Sequence, residues 1–326
     1  MIKKRLGNTD LYVSRIGLGT MGMSEFYGPT DEAEAVKTLH AALEHGINFF
    51  DGADMYGNGK NEELFKKAFS DRWDKVIVGT KFGFERDENG AMLGINGRPE
   101  YVKKSCERSL KLLGKDMIDL YYMHRVDPGT PVEETFGAMC ELVKEGKVRY
   151  LGLSEPSGNT IRKANSMHHV AAVESEYSIW STDIENTSLP VMRELGIPLV
   201  AYSPLGRGFL TGKIKSYDDF APDDYRRSLP RFQKNNFEKN LVLLKEVEEI
   251  AKAKSVTPSQ LALAWILNRG NDFFPIPGTT KIKNLLENID AINITLTEEE
   301  TGKLKSIMDS ISGERYTAGE MKGINL

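Results

Sequence analysis

The chain has 326 residues, 40% hydrophobic and 28% charged, with a formal net charge of −4. That is enough apolar material for a large core without cross-links, and the interspersed Lys and Glu form no basic patch for nucleic acid. No stretch approaches the ~20 apolar residues of a membrane-spanning helix, and MIKKRLGNTD has no apolar run behind its basic residues, so neither a membrane partner nor an export signal is expected.

From the N-terminus, KKRLGNTDLYVS carries Gly7 and Asn8 between two short alternating segments, the pattern of a hairpin. RIGLGTMG follows, with Gly17, Gly19 and Gly22 at G-x-G-x-x-G spacing. In a nucleotide-binding βαβ unit the third glycine sits in a helix, and an acidic residue follows ~20 positions on. Here SEFYGPT intervenes, and its proline and turn precede a helix expected to start at Thr30. The glycines therefore end a strand of another fold. Apolar runs at 15–20, 48–53, 76–81, 118–124, 148–154, 171–177, 198–203 and 273–278 read as buried parallel strands. Between them lie helical faces such as Val36, Leu39 and Leu43, or Val132, Phe136, Met139 and Val143. Cys106 and Cys140 occupy apolar positions of such helices, which suits free thiols in the cytoplasm. Thr257-Pro258-Ser259-Gln260 and Thr297-Glu298-Glu299-Glu300 mark helix starts of capping-box type. Eight strands alternating with helices give a (β/α)8 barrel, expected to be one domain over 1–326. It has an N-terminal hairpin beneath it and long loops on its C-terminal face, the longest irregular piece being 206–232.

Barrels of this kind carry chemistry at the C-terminal ends of their strands. There the second run ends in Asp51 with Tyr56 just beyond, the third in Lys81 and the fourth in His124. An ammonium near a phenol favours its ionised form, so Lys81 is expected to lower the Tyr56 pKa, with Asp51 holding the lysine charge. His124 is placed to donate to a carbonyl oxygen. The set suits protonation of an oxygen that turns negative as hydride arrives from a cofactor. The five histidines show no ligand spacing, and no metal is expected.

The ordered motifs GLGTMG, DGADMYG, GTKFG, MHRVD, GLSEPS, ESEYS, AYSPLGRGFLTG and PIPGTTKIKNLLEN resemble those of the aldo-keto reductases over nearly the whole chain. The resemblance implies NADPH-dependent reduction of small carbonyl compounds, with Tyr56 as proton donor, Lys81 and Asp51 tuning it, and His124 orienting the carbonyl. It implies that Gly19, Thr20 and Met21 line the nicotinamide end together with Asp51, Ser154, Glu155 and Glu174, and that Tyr202 stacks on the ring. Ser203, Leu205 and Gly206 would meet the pyrophosphate. Gly278, Thr279, Lys281 and Asn284 would meet the 2′-phosphate and Asn288 the adenine, with Pro204, Thr280 and Glu287 also among the cofactor contacts. Phe26, Tyr27, Met55, Phe84, Arg125 and Trp180 are expected to shape the substrate pocket, closed by the 206–232 loop and the tail SGERYTAGEMKGINL. Three positions depart from the usual pattern: Gly52 stands for Thr, Glu155 for Asn and Glu174 for Gln. The last two exchange an amide for an acid at the carboxamide. Two other functions fit parts of the pattern: a cofactor-binding accessory subunit resembling potassium-channel β-subunits, and a lyase or isomerase forming a Schiff base on Lys81. A monomer or weak homo-oligomer is expected.

Overall fold

The computed structural model describes residues 1–222 and 224–326. Strands β1 (Lys3–Arg5) and β2 (Tyr12–Ser14) pair antiparallel. The eight parallel strands are β3 (Leu18–Gly19), β4 (Phe49–Asp51), β5 (Ile77–Phe82), β8 (Ile118–Met123), β9 (Val148–Ser154), β10 (Val170–Glu176), β11 (Leu199–Tyr202) and β12 (Phe273–Pro275), adjacent in that order. The Gly17 amide donates to the Pro275 carbonyl at 3.0 Å, joining the first strand to the last. The opening glycines serve this junction. A Cβ on Gly17 would stand 2.9 Å from side-chain atoms of both Ile276 and Phe49, and one on Gly19 2.8 Å from the Ile276 carbonyl oxygen.

Helices α1 (Glu32–Glu44), α2 (Lys60–Phe69), α3 (Pro99–Leu113), α4 (Val132–Lys144), α5 (Gly158–Met167) and α6 (Leu189–Glu194) alternate with the strands. They are followed by α7 (Lys234–Ala253), α8 (Pro258–Leu267), α9 (Ile282–Asp290), α10 (Glu298–Met308) and α11 (Ala318–Met321). Strands buried on both faces split the core in two. Leu6, Leu11 and Val13 of the hairpin region close the barrel interior against Phe49, Leu120, Tyr122 and Val200, while a larger apolar layer lies between strands and helices. Both expected capping boxes form, at Thr257 with Gln260 and at Thr297 with Glu300.

Three local expectations change. The first and last ladders are short, because the chain leaves the sheet before residues 20 and 278 to line the mouth. Helix α1 starts at Glu32, since Asp31 is the side chain that accepts the Glu34 amide. A further hairpin, β6 (Phe84–Arg86) with β7 (Met92–Ile95), stands over the mouth. The 206–232 loop folds as 3-10 turns at Gly206–Thr211, Tyr217–Asp219, Tyr225–Ser228 and Pro230–Phe232, whose Phe209, Phe220 and Phe232 are buried. Asp223 of that loop lies outside the described residues. Cys106 and Cys140 are both free thiols. Among the described residues no helix is long and apolar enough to cross a membrane.

Candidate active site

Asp51 ends β4, Lys81 lies in β5, His124 follows β8 and Glu174 lies in β10, so the parallel register carries all four to the same end of the barrel. Lys81 has no solvent exposure. Its Nζ donates to Asp51 Oδ1 and to the Gly52 carbonyl at 2.8 Å, and lies 3.3 Å from Glu174 Oε2 and 5.5 Å from the centre of the Tyr56 ring. Tyr56 stands edge-on to His124 with ring centres 6.0 Å apart, and Phe84 packs on His124 at 4.8 Å.

Burial sets the protonation states here. It alone would lower the Lys81 pKa, but the acidic pair around it, Asp51 first, outweighs burial and holds the ammonium charged. Glu174 is pushed well up, first by burial and then by the Asp51 charge, so a neutral acid stands beside Asp51 and Lys81. Burial also pushes the Tyr56 phenol up. Lys81 pulls it back, yet Asp51 and Glu174 push it further, and the net shift is upward. The lowering expected from Lys81 alone is thus reversed: Tyr56 is firmly protonated. His124 is pulled well down by burial and then by Arg125 and Lys81, which leaves a neutral imidazole. The arrangement combines a phenol and a neutral imidazole, both still able to donate, with a fixed positive charge behind the phenol.

A cavity of about 880 Å³ opens over these groups. Its wall includes Asp51, Tyr56, His124, Ser154 and Glu174, then Gly19, Thr20 and Met21. It continues along Tyr202, Ser203, Pro204 and Leu205 to Gly278, Thr279, Thr280, Lys281, Asn284, Glu287 and Asn288. Phe26, Tyr27, Met55, Phe84 and Arg125 line it too, with Tyr225, Tyr316 and Ile324 from the loop and tail. Four expected residues do not. Lys81 lies behind Tyr56. Gly206 packs under the Trp180 ring, where a Cβ would come within 2.4 Å, and Trp180 itself stacks on Phe209. Glu155 is the main correction. Its carboxylate turns from the cavity to accept Arg315 Nη1 at 2.8 Å and Nη2 at 2.9 Å, the Glu176 amide at 2.8 Å and the Tyr202 hydroxyl at 2.8 Å. Glu155 takes a left-handed φ of 53°, and these four donors hold it there.

Sequence reasoning named neither Arg315 nor Tyr316, whose hydroxyl is 2.7 Å from that of Tyr202. Their only local signal is the capping box that Thr317 and Glu320 form directly after them. Asn61 also went unnamed. It bonds the Thr20 carbonyl and the Ser24 hydroxyl, and a Cβ on Gly52 would sit 2.4 Å from its Oδ1. Glycine at 52 makes room for Asn61.

An eight-stranded α/β barrel with a buried Lys–Asp pair behind a tyrosine and a histidine at its mouth defines a class of barrel oxidoreductase. The family model described as "Aldo/keto reductase family" matches residues 15–309. "Aldo-keto reductase yakc [NADP(+)]" of Schizosaccharomyces pombe is 44% identical over 323 residues, 97% of this chain and 94% of that protein. The glycerol dehydrogenase AKR11B4 of Gluconobacter oxydans superposes with a TM-score of 0.85 at 31% identity, covering 94% of each chain. The thermostable aldo-keto reductase Tm1743, solved with the inhibitor epalrestat, gives 0.76 at 31% identity over 94% of this chain and all of that one. The chain belongs to the aldo/keto reductase family.

Proposed function

We propose that this protein is a soluble, single-domain carbonyl reductase that uses NADPH to convert aldehydes or ketones to alcohols. The observation that carries this is Tyr56 edge-on to His124 at the cavity, with the Lys81 ammonium held behind it by Asp51. NADPH, when bound, supplies the hydride that adds to the carbonyl carbon. The carbonyl π pair moves onto oxygen, and Tyr56 delivers the proton that completes the alcohol. His124 donates to the same oxygen and orients it, while the Lys81 ammonium stabilises the negative charge passing to Tyr56.

The groove fits a dinucleotide. Asn288 is 3% exposed, lines the cavity and makes no side-chain hydrogen bond among the described residues, so its amide is free for an adenine. The first turn of α9 has no side-chain cap, which leaves backbone donors for a phosphate beside Lys281. Ser154 receives one hydrogen bond from Arg125, and its own hydroxyl proton remains for a carboxamide. The Schiff-base reading is disfavoured because the Lys81 amine is charged, buried and triply held. The accessory-subunit reading has no specific support. The cytoplasm and a monomer or weak homo-oligomer complete the proposal.

The test follows NADPH oxidation by absorbance against a panel of aldehydes, ketones and quinones. Lys281→Ala should weaken NADPH about tenfold with NADH little changed. Equal weakening of both would remove Lys281 from the 2′-phosphate, and no turnover with any carbonyl would overturn the proposed function.

A further inference from the structure

Arg125 is 9% exposed and lines the cavity beside His124. Its Nη1 donates to the His124 carbonyl at 2.6 Å and to the Ser154 hydroxyl at 3.0 Å. Its Nε and Nη2 make no hydrogen bond among the described residues, and neither is sealed off from the cavity. The other buried or half-buried arginines at this end of the barrel are matched, among them Arg315 by Glu155, Arg207 by Glu176 and Arg86 by Glu25. Arg125 has no carboxylate within 4.0 Å among the described residues. The two acids nearest the reacting groups, Asp51 and Glu174, are engaged by Lys81, and Glu155 is taken by Arg315.

A buried guanidinium without a paired acid is costly, and three of its five N–H donors, on Nε and Nη2, make no hydrogen bond within the protein although the residue lines the cavity. A planar fork of this kind matches a carboxylate in two parallel hydrogen bonds. Phe84 fixes the direction. Its ring packs edge to face against that of His124 at 4.8 Å, and Arg125 Cζ lies 5.8 Å from the centre of the Phe84 ring. One molecule lying along Phe84 can therefore reach the imidazole and the guanidinium together.

Resting on the proposed reductase activity, we infer that Arg125 is a specificity-determining residue that selects oxo-carboxylates, substrates whose carbonyl is held at His124 and whose carboxylate is held by the guanidinium. The carboxylate supplies the direct ion-pair partner that Arg125 lacks, since Glu155 acts on it only at longer range, and its binding orients the carbonyl without taking part in the bond changes.

The experiment measures kcat and KM with NADPH for three pairs matched in size: pyruvate with butane-2,3-dione, 4-oxobutanoate with 4-methylpentanal, and 4-carboxybenzaldehyde with 4-isopropylbenzaldehyde. In the wild-type protein the acid should exceed its neutral partner in kcat/KM by tenfold or more in at least one pair. Arg125→Met should erase that preference, the acid losing at least tenfold more in kcat/KM than its neutral partner, and losing it mainly through KM. Arg125→Lys should restore part of it. Because Arg125 also holds Ser154, NADPH binding is followed in both variants by quenching of protein fluorescence and turnover is compared at saturating NADPH, so that a weakened cofactor site affects both members of a pair alike. A wild-type protein that reduces the neutral partners but favours no acid overturns the role of Arg125, however the variants fold. So does a preference that survives in Arg125→Met. If no compound of any pair is reduced, the reductase reading fails, and this inference fails with it.

Discussion

Two buried ionic clusters flank the cavity, and they are built from opposite materials. The Lys81 cluster joins Asp51, Lys81 and Glu174 from three strands of the barrel. The Glu155 cluster joins a strand end to Arg315 and Tyr316 of the C-terminal tail, 160 residues away in sequence. The first has two acids for one base, so a proton stays on Glu174. In the second, Glu155 stays ionised: burial would raise its pKa, but Arg315 and then Arg125 more than offset this. The difference separates two tasks that one sequence pattern appeared to merge, since both glutamates stand where the family usually has amides. Glu174 faces the cavity as a neutral acid that can donate like an amide, whereas Glu155 anchors the tail and holds the Tyr202 hydroxyl.

The largest effect should come from the group the first cluster serves. Tyr56→Phe keeps the ring and removes the proton, so kcat should fall ~10²–10⁴-fold, while the NADPH dissociation constant measured by fluorescence stays within about threefold. A variant that retains turnover would leave the Lys81 cluster with no proton donor to serve. Breaking the second cluster should instead be read in stability. Arg315→Met leaves Glu155 buried without its base, a change expected to cost about 3–5 kcal/mol in urea unfolding. It should also loosen Tyr202 and raise the KM. A loss below 1 kcal/mol would mean that the tail is not held by this pair.

The two clusters differ in how far they were legible in the sequence. Asp51, Tyr56, Lys81 and His124 could be named because each ends, or closely follows, an apolar run, and a parallel barrel carries all such ends to one face. The net shift of Tyr56 could not be read, because it depends first on burial, with Asp51 and then Glu174 opposing Lys81. Arg315 and Tyr316 could not be assigned, since no local periodicity reports a contact with β9 and β11 across most of the chain. The β6–β7 hairpin was missed although Asn89-Gly90 between alternating residues is a turn signal. The glycine triplet was read as ending a strand, and the tight junction of the first and last strands that Gly17 and Gly19 permit is visible only in three dimensions.

Charge imbalance in the first cluster has a pH signature that the second lacks. Glu174 has a folded pKa well above the 4.5 of an ordinary glutamate. Below pH ~4.5 both folded and unfolded chains carry its proton, and it costs nothing. As pH rises, the unfolded chain releases the proton while the folded one keeps it, so Glu174 destabilises the fold by up to about 1.4 kcal/mol per pH unit until its folded pKa is reached. Glu174→Gln keeps the shape and a donor without the titration. Its stability relative to wild type should therefore be level near pH 4 and improve steadily toward pH 7, as measured by urea unfolding at each pH. A difference that does not change with pH would place no retained proton on Glu174.

The smallest effect belongs to the outer hydrogen bond of the second cluster. The Tyr202 hydroxyl is held twice, by Glu155 at 2.8 Å and by Tyr316 at 2.7 Å. Only the first of these partners is charged, and hydrogen bonds to charged groups are worth about 1.5–3 kcal/mol against ~1 for neutral pairs. Tyr316→Phe removes the weaker bond and keeps the ring, whose centre lies 4.9 Å from Arg207 Cζ. Its stability should fall by no more than about 1 kcal/mol, and the NADPH dissociation constant should rise two- to fivefold as Tyr202 gains freedom. In the Arg315→Met background the same change should cost more, because Glu155 then no longer fixes Tyr202 firmly and the two substitutions act on one hydrogen-bonded network. Strict additivity of the two, in both stability and NADPH affinity, would show that the tail reaches Tyr202 by two independent contacts rather than as one cluster.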